Sequence, residues 1–291
     1  MQSKEEDYIN NEYYALNLQF LRLIGLWEYH SSLKQQIYIC SINIIILIGL
    51  SQSIYMFFTS EPKINLLTEL LETILPTLCF GSCYWNLLLK DTIMKNIMRR
   101  INCDWMDFAD KPELIILKKY ANISRQSTII IAISFYIYII LLIFPSLLRI
   151  FQYVFGVRSE TKLILPIRTY YFTKNQLFYF ITLLYEYIAL CITCMIGVAN
   201  YSMFIAIIQH ACALFNIIEW RVNEYLKKIP DDNYRPFTFK EENEWIVDTI
   251  ELYNNALKLV SNFIRVHCKF VLYVQIANIN ITIFLLLFQF C

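Results

Sequence analysis

Five long apolar runs, separated by stretches rich in charge, organise the chain. Ile37 to Phe58 is uncharged throughout, Leu70 to Leu89 carries Glu72 near its start and Pro76 further on, and Ser127 to Leu148 is uncharged and packed with Ile. Leu177 to Ile208 is longer and holds one acid, Glu186, while Phe270 to Phe290 has Gln275, Asn278 and Asn280 among its polar members. A helix needs about 20 mostly apolar residues to cross a hydrocarbon core of about 30 Å. The pattern predicts an all-α membrane protein, a helical bundle in a single domain over 1–291 with spans near 37–58, 70–89, 127–148, 177–208 and 270–290. Pro76, Pro145 and Gly197 do not end these runs, because membrane helices tolerate such residues where neighbours satisfy the freed backbone. Five is an odd number, so the termini are expected on opposite sides.

Orientation follows from the basic residues between the spans. With the N-terminus inside, nineteen Lys and Arg fall on the cytoplasmic side and six outside, which predicts a cytoplasmic N-terminus. The two long inner segments are amphipathic as well. Ile93, Ile97, Ile101, Leu114, Leu117 and Tyr120 recur at helical spacing among charges in the first. Ile217, Trp220, Tyr225, Trp245, Ile250 and Tyr253 do so in the second, on either side of a turn at Pro230-Asp231-Asp232-Asn233. Such spacing marks helices that extend beyond the bilayer as an ordered layer.

Composition agrees. Hydrophobic residues make up 57% of the 291 and charged residues only 17%, against about 25% in soluble domains. With 21 Tyr and 21 Phe, this excludes a disordered tail, a collagen-like chain and a coiled coil. A formal charge of +1 gives no electrostatic footprint for nucleic acid. The nine Cys read as small hydrophobes, most lying in or beside apolar runs, and Cys191-x-x-Cys194 has neither a second pair nor a nearby His. No cleavable signal peptide is expected, since the first residues are polar and acidic.

Chemistry-bearing motifs are few. There is no Gly-rich phosphate loop and no HExxH, and His30, His210 and His267 form no catalytic arrangement. The chain is therefore not expected to be an enzyme or to carry a cofactor or metal, and His210 is assigned a structural or helix-capping role. The sequons at Asn122, Asn200 and Asn280 fall inside or within the bilayer and are expected to stay unmodified. Glu186 stands out, because an ionisable group inside a span is a candidate functional site. It lies nine residues into its run, roughly 13 Å along a helix. Around it, the outer parts of the third and fourth spans are aromatic, with Phe135, Tyr136, Tyr138 and Phe144 on one and Phe178, Tyr179, Phe180, Tyr185 and Tyr187 on the other. Apolar and aromatic walls with a few polar groups suit a small-molecule pocket.

Several segments resemble the insect odorant receptors, especially the hymenopteran-type set. Tyr13-Tyr14-Ala15-Leu16-Asn17 followed by Gly25-Leu26-Trp27 is similar to the family's opening, with Leu18 and Glu28 where Arg and Pro are usual. Tyr84-Trp85-Asn86 and Asp104-Trp105 resemble its aromatic-Asn and Asp-Trp positions. The fullest likeness covers Leu165-Pro166, Met203-Phe204, the run Gln209-His210-Ala211-Cys212-Ala213-Leu214-Phe215, and Arg221. The resemblance implies a seven-helix subunit of an odorant-gated cation channel that assembles with a coreceptor into tetramers in the plasma membrane of olfactory sensory neurons. It implies that volatile ligands sit in the outer half of the bundle, here around Phe80, Tyr84, Tyr138 to Leu142 and Phe178 to Tyr185, beside Glu186. On this reading the chain, ending at Cys291 just after the fifth span, is truncated at its C-terminus and is not expected to conduct alone. A G-protein-coupled-type chemoreceptor would place the N-terminus outside and usually carries a loop disulfide, whereas segments 59–69 and 149–176 lack Cys. A small-solute transporter would more often show internal repeats or several intramembrane charges, and neither occurs.

Overall fold

The computed structural model describes residues 13–27, 33–59, 64–155, 176–228 and 238–266. They form seven helices and, among the described residues, no strand: α1 Ala15–Leu23, α2 Leu33–Thr59, α3 Ile64–Leu89, α4 Asp91–Asp107, α5 Leu114–Val154, α6 Gln176–Lys228 and α7 Phe239–Val266. The first four predicted spans fall within α2, α3, α5 and α6. The fifth, at 270–290, lies outside the described residues, as does the predicted turn at 230–233. Three stretches among the described residues are long and apolar enough to cross a membrane: Leu33–Gln52, Leu114–Gln152 and Phe180–Lys227.

Two helices run well past the predicted spans. α5 has 41 residues and α6 has 53, lengths of about 60 and 80 Å, and both continue unbroken through Pro145 and Gly197 respectively. A core of about 30 Å takes up only part of either. The onset of charge after 208 marks a change of surroundings along one helix and no end to it.

Local chemistry fixes the ends. α1 stops where Gly25 takes φ +76, the only positive φ among the described residues. The Gly25 N–H bonds to the Arg22 carbonyl at 2.9 Å and the Leu26 N–H to that of Leu21 at 3.0 Å, the paired closure of a Schellman motif. A Cβ on Gly25 would also stand 2.8 Å from the Tyr38 ring. α7 opens with a capping box: the Thr238 N–H donates to Glu241 Oε2 at 2.8 Å, and the Glu241 N–H returns to Thr238 Oγ1 at 3.4 Å. At its other end Lys90, the single residue between α3 and α4, donates to the Arg265 carbonyl.

The chain packs as two compact units, each assembled from separate stretches. The first comprises Met1–Gln19, Leu89–Ile129 and Tyr201–Cys268. In it, α4 buries Met94, Ile97, Ile101 and Trp105, the C-terminal part of α6 buries Ile207, Leu214 and Ile217, and α7 buries Leu252, Ala256, Leu259 and Phe263. The α4 stripe and Ile217 follow the expected amphipathic spacing, whereas Ile250 and Tyr253, expected in the second stripe, are exposed on α7, where a neighbouring face carries the burial. The second unit comprises Phe20–Leu88, Ile130–Asn200 and Lys269–Cys291. Its outer surface is apolar, with exposed Ile44 and Leu47 on α2, Ile133, Ile140 and Phe144 on α5, and Leu184 on α6. Such a surface fits lipid as its solvent.

Candidate functional site

In the second unit α6 presents one face inward, and Gly197 is its narrowest point. A Cβ there would lie 2.6 Å from Phe135 Cε1 and 2.7 Å from Phe80 Cε1. The missing side chain lets α3 and α5 bring Phe80 and Phe135 onto the α6 backbone, their rings edge to face with centroids 5.9 Å apart. Glu186 precedes Gly197 by eleven residues, so at about 100° and 1.5 Å per residue it sits on nearly the same face, about 16 Å further along. It is 2% exposed, and Thr182, one turn before it, is buried as well.

The two flanking tyrosines fix the direction in which Glu186 faces. Tyr185 donates to the Ile45 carbonyl of α2 at 2.9 Å. Tyr187 bonds the hydroxyl of Ser146 on α5 at 2.6 Å, and Ser146 donates to the Ile143 carbonyl at 2.8 Å. Successive helical side chains diverge by about 100°, so Glu186, between these two, faces the interior between α2 and α5. Glu186 is thus a buried acid on nearly the same face of α6 as the Phe80–Phe135 contact at Gly197, about 16 Å from it.

The expected ligand residues distribute unevenly over this frame. Phe80 packs against Phe135, Tyr185 braces α2, and Glu186 faces inward. Leu142 on α5 is half-buried, whereas Tyr138 is 54% exposed. Tyr84 is fully buried and its hydroxyl donates to the Ile24 carbonyl at 3.4 Å, which ties it to the turn after α1. Phe178 belongs to the first turn of α6, and its side chain lies outside the described residues. Phe135, one of the aromatics expected to line a pocket, partners Phe80, while two contributors were not singled out from sequence: Gly197 as the point of close approach and Ser146 as partner of Tyr187. The spacing of eleven between Glu186 and Gly197 is the signal that relates them.

The first unit holds a second polar constellation. His210 bonds Asp104 Oδ2 through Nε2 at 2.9 Å and meets the Tyr14 hydroxyl through Nδ1 at 3.5 Å. Asp104 also pairs with Arg100 at 2.8 Å. Trp105 stacks on Tyr13 at 5.6 Å and meets Tyr14 edge-on. His210 lies mid-helix, so it caps nothing, and its partners give it a bracing role. Nearby in the same unit, Arg221 pairs with buried Glu113 at 2.9 Å and lies over the Phe108 ring. Among the described residues no group of three or more His, Cys, Asp and Glu is placed to hold a metal ion. Cys194 is buried and Cys191 exposed, so the C-x-x-C pair divides between two environments.

Comparison with known proteins bears on these arrangements. A model of the 7tm odorant receptor family matches residues 66–291. The chain belongs to that family. Its fold is shared with solved structures of the insect olfactory receptor OR5 from Machilis hrabei. One matches at 17% identity and a TM-score of 0.56, over 89% of this chain and 67% of that one. A second, of the same receptor in complex with eugenol, matches at 15% identity and 0.58, over 90% and 66% respectively. The odorant receptor chain thus spans about two thirds of the length of these solved relatives. No curated protein matches it. The resemblance drawn from short motifs holds at the level of the family, a receptor family of membrane-spanning helices.

Proposed function

We propose that this chain is an odorant receptor subunit that binds volatile small molecules in the outer part of its second unit and gates a cation channel with a coreceptor. Its 291 residues act as one receptor domain in the plasma membrane of olfactory sensory neurons, with the N-terminus in the cytoplasm. The observation that carries this reading is the inward face of α6, which buries Glu186 and Thr182 and, about 16 Å along, packs Gly197 against Phe80 and Phe135, inside a unit whose outer surface suits lipid. Phe80, Tyr185, Glu186 and Leu142 are the central ligand-binding residues of the proposal, with Phe178, Tyr138 and Tyr84 at its margins. The eugenol complex of the Machilis receptor supports a small aromatic volatile as a fitting ligand size.

Assembly with a coreceptor is supported by α7. Besides its buried stripe, this helix exposes Phe239, Ile246, Ile250, Tyr253, Leu257 and Ile264. These positions follow the alternating 3/4 spacing of a helix seam, a face that suits a second subunit.

The test is direct binding. The purified chain in lipid nanodiscs is titrated with a panel of volatile alcohols, phenols, ketones and esters while intrinsic fluorescence and thermal unfolding are followed. Saturable binding by at least one class is expected, with stabilisation approaching about 2.7 kcal/mol at a hundredfold excess over Kd. A panel in which nothing binds saturably rejects the reading.

A further inference from the structure

Lys90 and Arg265 lie 175 positions apart, and the first unit brings them to one place. The Lys90 ammonium, at the junction of α3 and α4, donates to the Arg265 carbonyl in the last turn of α7. The carbonyl end of a helix attracts a cation, so this contact holds Lys90 in position. An ammonium has three N–H donors, and one is spent here. The Arg265 side chain is exposed, and its guanidinium lies within one side chain's length of that contact. Asp91, the acid beside Lys90, pairs with Lys95 at 2.7 Å, while α3 has no acid after Glu72 and α7 none after Glu251. Among the described residues no carboxylate closes on Lys90 or Arg265. Their chain neighbours are apolar and turned outward, Leu89 being 83% exposed and Ile264 59%. The second predicted span ends at Leu89 and the fifth is expected from 270, so both cations stand where apolar chain gives way to charge.

We infer that Lys90 and Arg265 form a binding site for an anionic phospholipid, its phosphate between the two cations and its acyl chains beside Leu89 and Ile264. The inference names a partner that odorant binding does not require, and it stands or falls separately from that reading. Two like charges held together repel, and an anion between them removes the repulsion. The planar guanidinium offers two parallel N–H groups to a phosphate, and Lys90 keeps two donors for it. The exposed apolar neighbours favour a lipid over a soluble phosphate, because acyl chains cover them and water does not. A zwitterionic lipid carries the same phosphate but brings its own cation, which these two repel. Both residues fall in segments predicted to be cytoplasmic, and that leaflet holds the anionic lipids.

Matched acyl chains separate the headgroup from the hydrocarbon. The full chain is released for native mass spectrometry from detergent micelles doped with palmitoyl-oleoyl phosphatidylserine or with the phosphatidylcholine of the same chains, and retained lipid is followed against lipid concentration. A cation near the membrane surface contributes about fivefold, so phosphatidylserine is expected to bind about tenfold or more tightly. Arg265→Gln leaves the backbone contact with Lys90 in place and should lower the preference about fivefold. With Lys90→Gln added, the two lipids should bind within about twofold of each other. Lys227→Gln with Lys240→Gln removes the same charge from the end of α6 and the start of α7, and should leave the preference as it is. Equal affinity for the two lipids in the native chain overturns the inference. An equal loss in the distant pair overturns it as well, since the attraction would then belong to the net charge and not to the site. Displacement of the lipid by glycerophosphoserine, the headgroup without chains, at comparable concentration would make this a soluble-phosphate site and also overturn it.

Discussion

His210 on α6 and Asp104 on α4, 106 positions apart in sequence, meet at 2.9 Å with both side chains almost wholly buried. Asp104 is shared with Arg100, and His210 with Tyr14 of the N-terminal segment, so one carboxylate organises three elements of the first unit. Removing a single partner from such a network costs more than its net worth, because the remaining polar groups stay buried without a bond. Asp104→Ala should destabilise the chain by about 3–5 kcal/mol. His210→Ala should cost less, because Asp104 keeps Arg100. Denaturant or thermal unfolding of the two variants gives the order, and equal losses would reject Asp104 as the centre.

Tyr14 carries a second, pH-dependent prediction. Burial, with a smaller contribution from the nearby Asp104 charge, pushes its hydroxyl above the ordinary tyrosine value of 10.0. The sign follows: the unfolded chain releases this proton near pH 10 and the folded chain holds it longer. The contribution is therefore fully present below about pH 10 and lost as pH rises beyond it. Unfolding free energy measured from pH 9 to 11 should fall more steeply for the native chain than for Tyr14→Phe. Parallel slopes would mean that Tyr14 titrates as it does in the unfolded chain.

Much of this architecture is legible in the sequence, for identifiable reasons. Runs of about 20 apolar residues announce four described helices because lipid leaves the backbone no other way to satisfy itself. The stripe of Ile97 and Ile101 is readable because water on one side of α4 enforces amphipathic spacing. Faces within the bilayer are not readable in this way, since lipid and protein interior are both apolar. Tyr138, exposed, and Tyr185, bonded to α2, accordingly look alike in the sequence. Partners such as His210 and Asp104 are equally hidden, because their proximity depends on how α4 and α6 pack. The aromatic outer parts of the third and fourth spans already pointed to a pocket there, and the family resemblance added Phe80 and Tyr84 of the second span to it.

Topology is testable without a ligand. The excess of Lys and Arg between the spans predicts that residue 1 is in the cytoplasm and the 150–175 segment outside. An epitope tag at residue 1 should be protected on intact cells and stained after permeabilisation, and a tag in the 150–175 segment should stain without it. The opposite pattern would overturn the orientation.

The contact at Gly197 supplies the most local test of the candidate site. Any side chain there meets ring carbons of Phe80 and Phe135 at under 3 Å, so α3 and α5 must move outward or the rings must rotate. Gly197→Ala should thus cost about 1–3 kcal/mol despite the better helix propensity of Ala, because overpacking outweighs the gain of about 1 kcal/mol from removing a helical glycine. Phe135→Leu opens space at the crowded point and costs on its own account through the lost ring contact. The two changes together should therefore destabilise less than the sum of the separate losses, with a coupling of about 1 kcal/mol or more. Thermal unfolding of the wild type, the two single variants and the double variant closes the cycle. Additive losses would show that Gly197 does not depend on the Phe80–Phe135 contact.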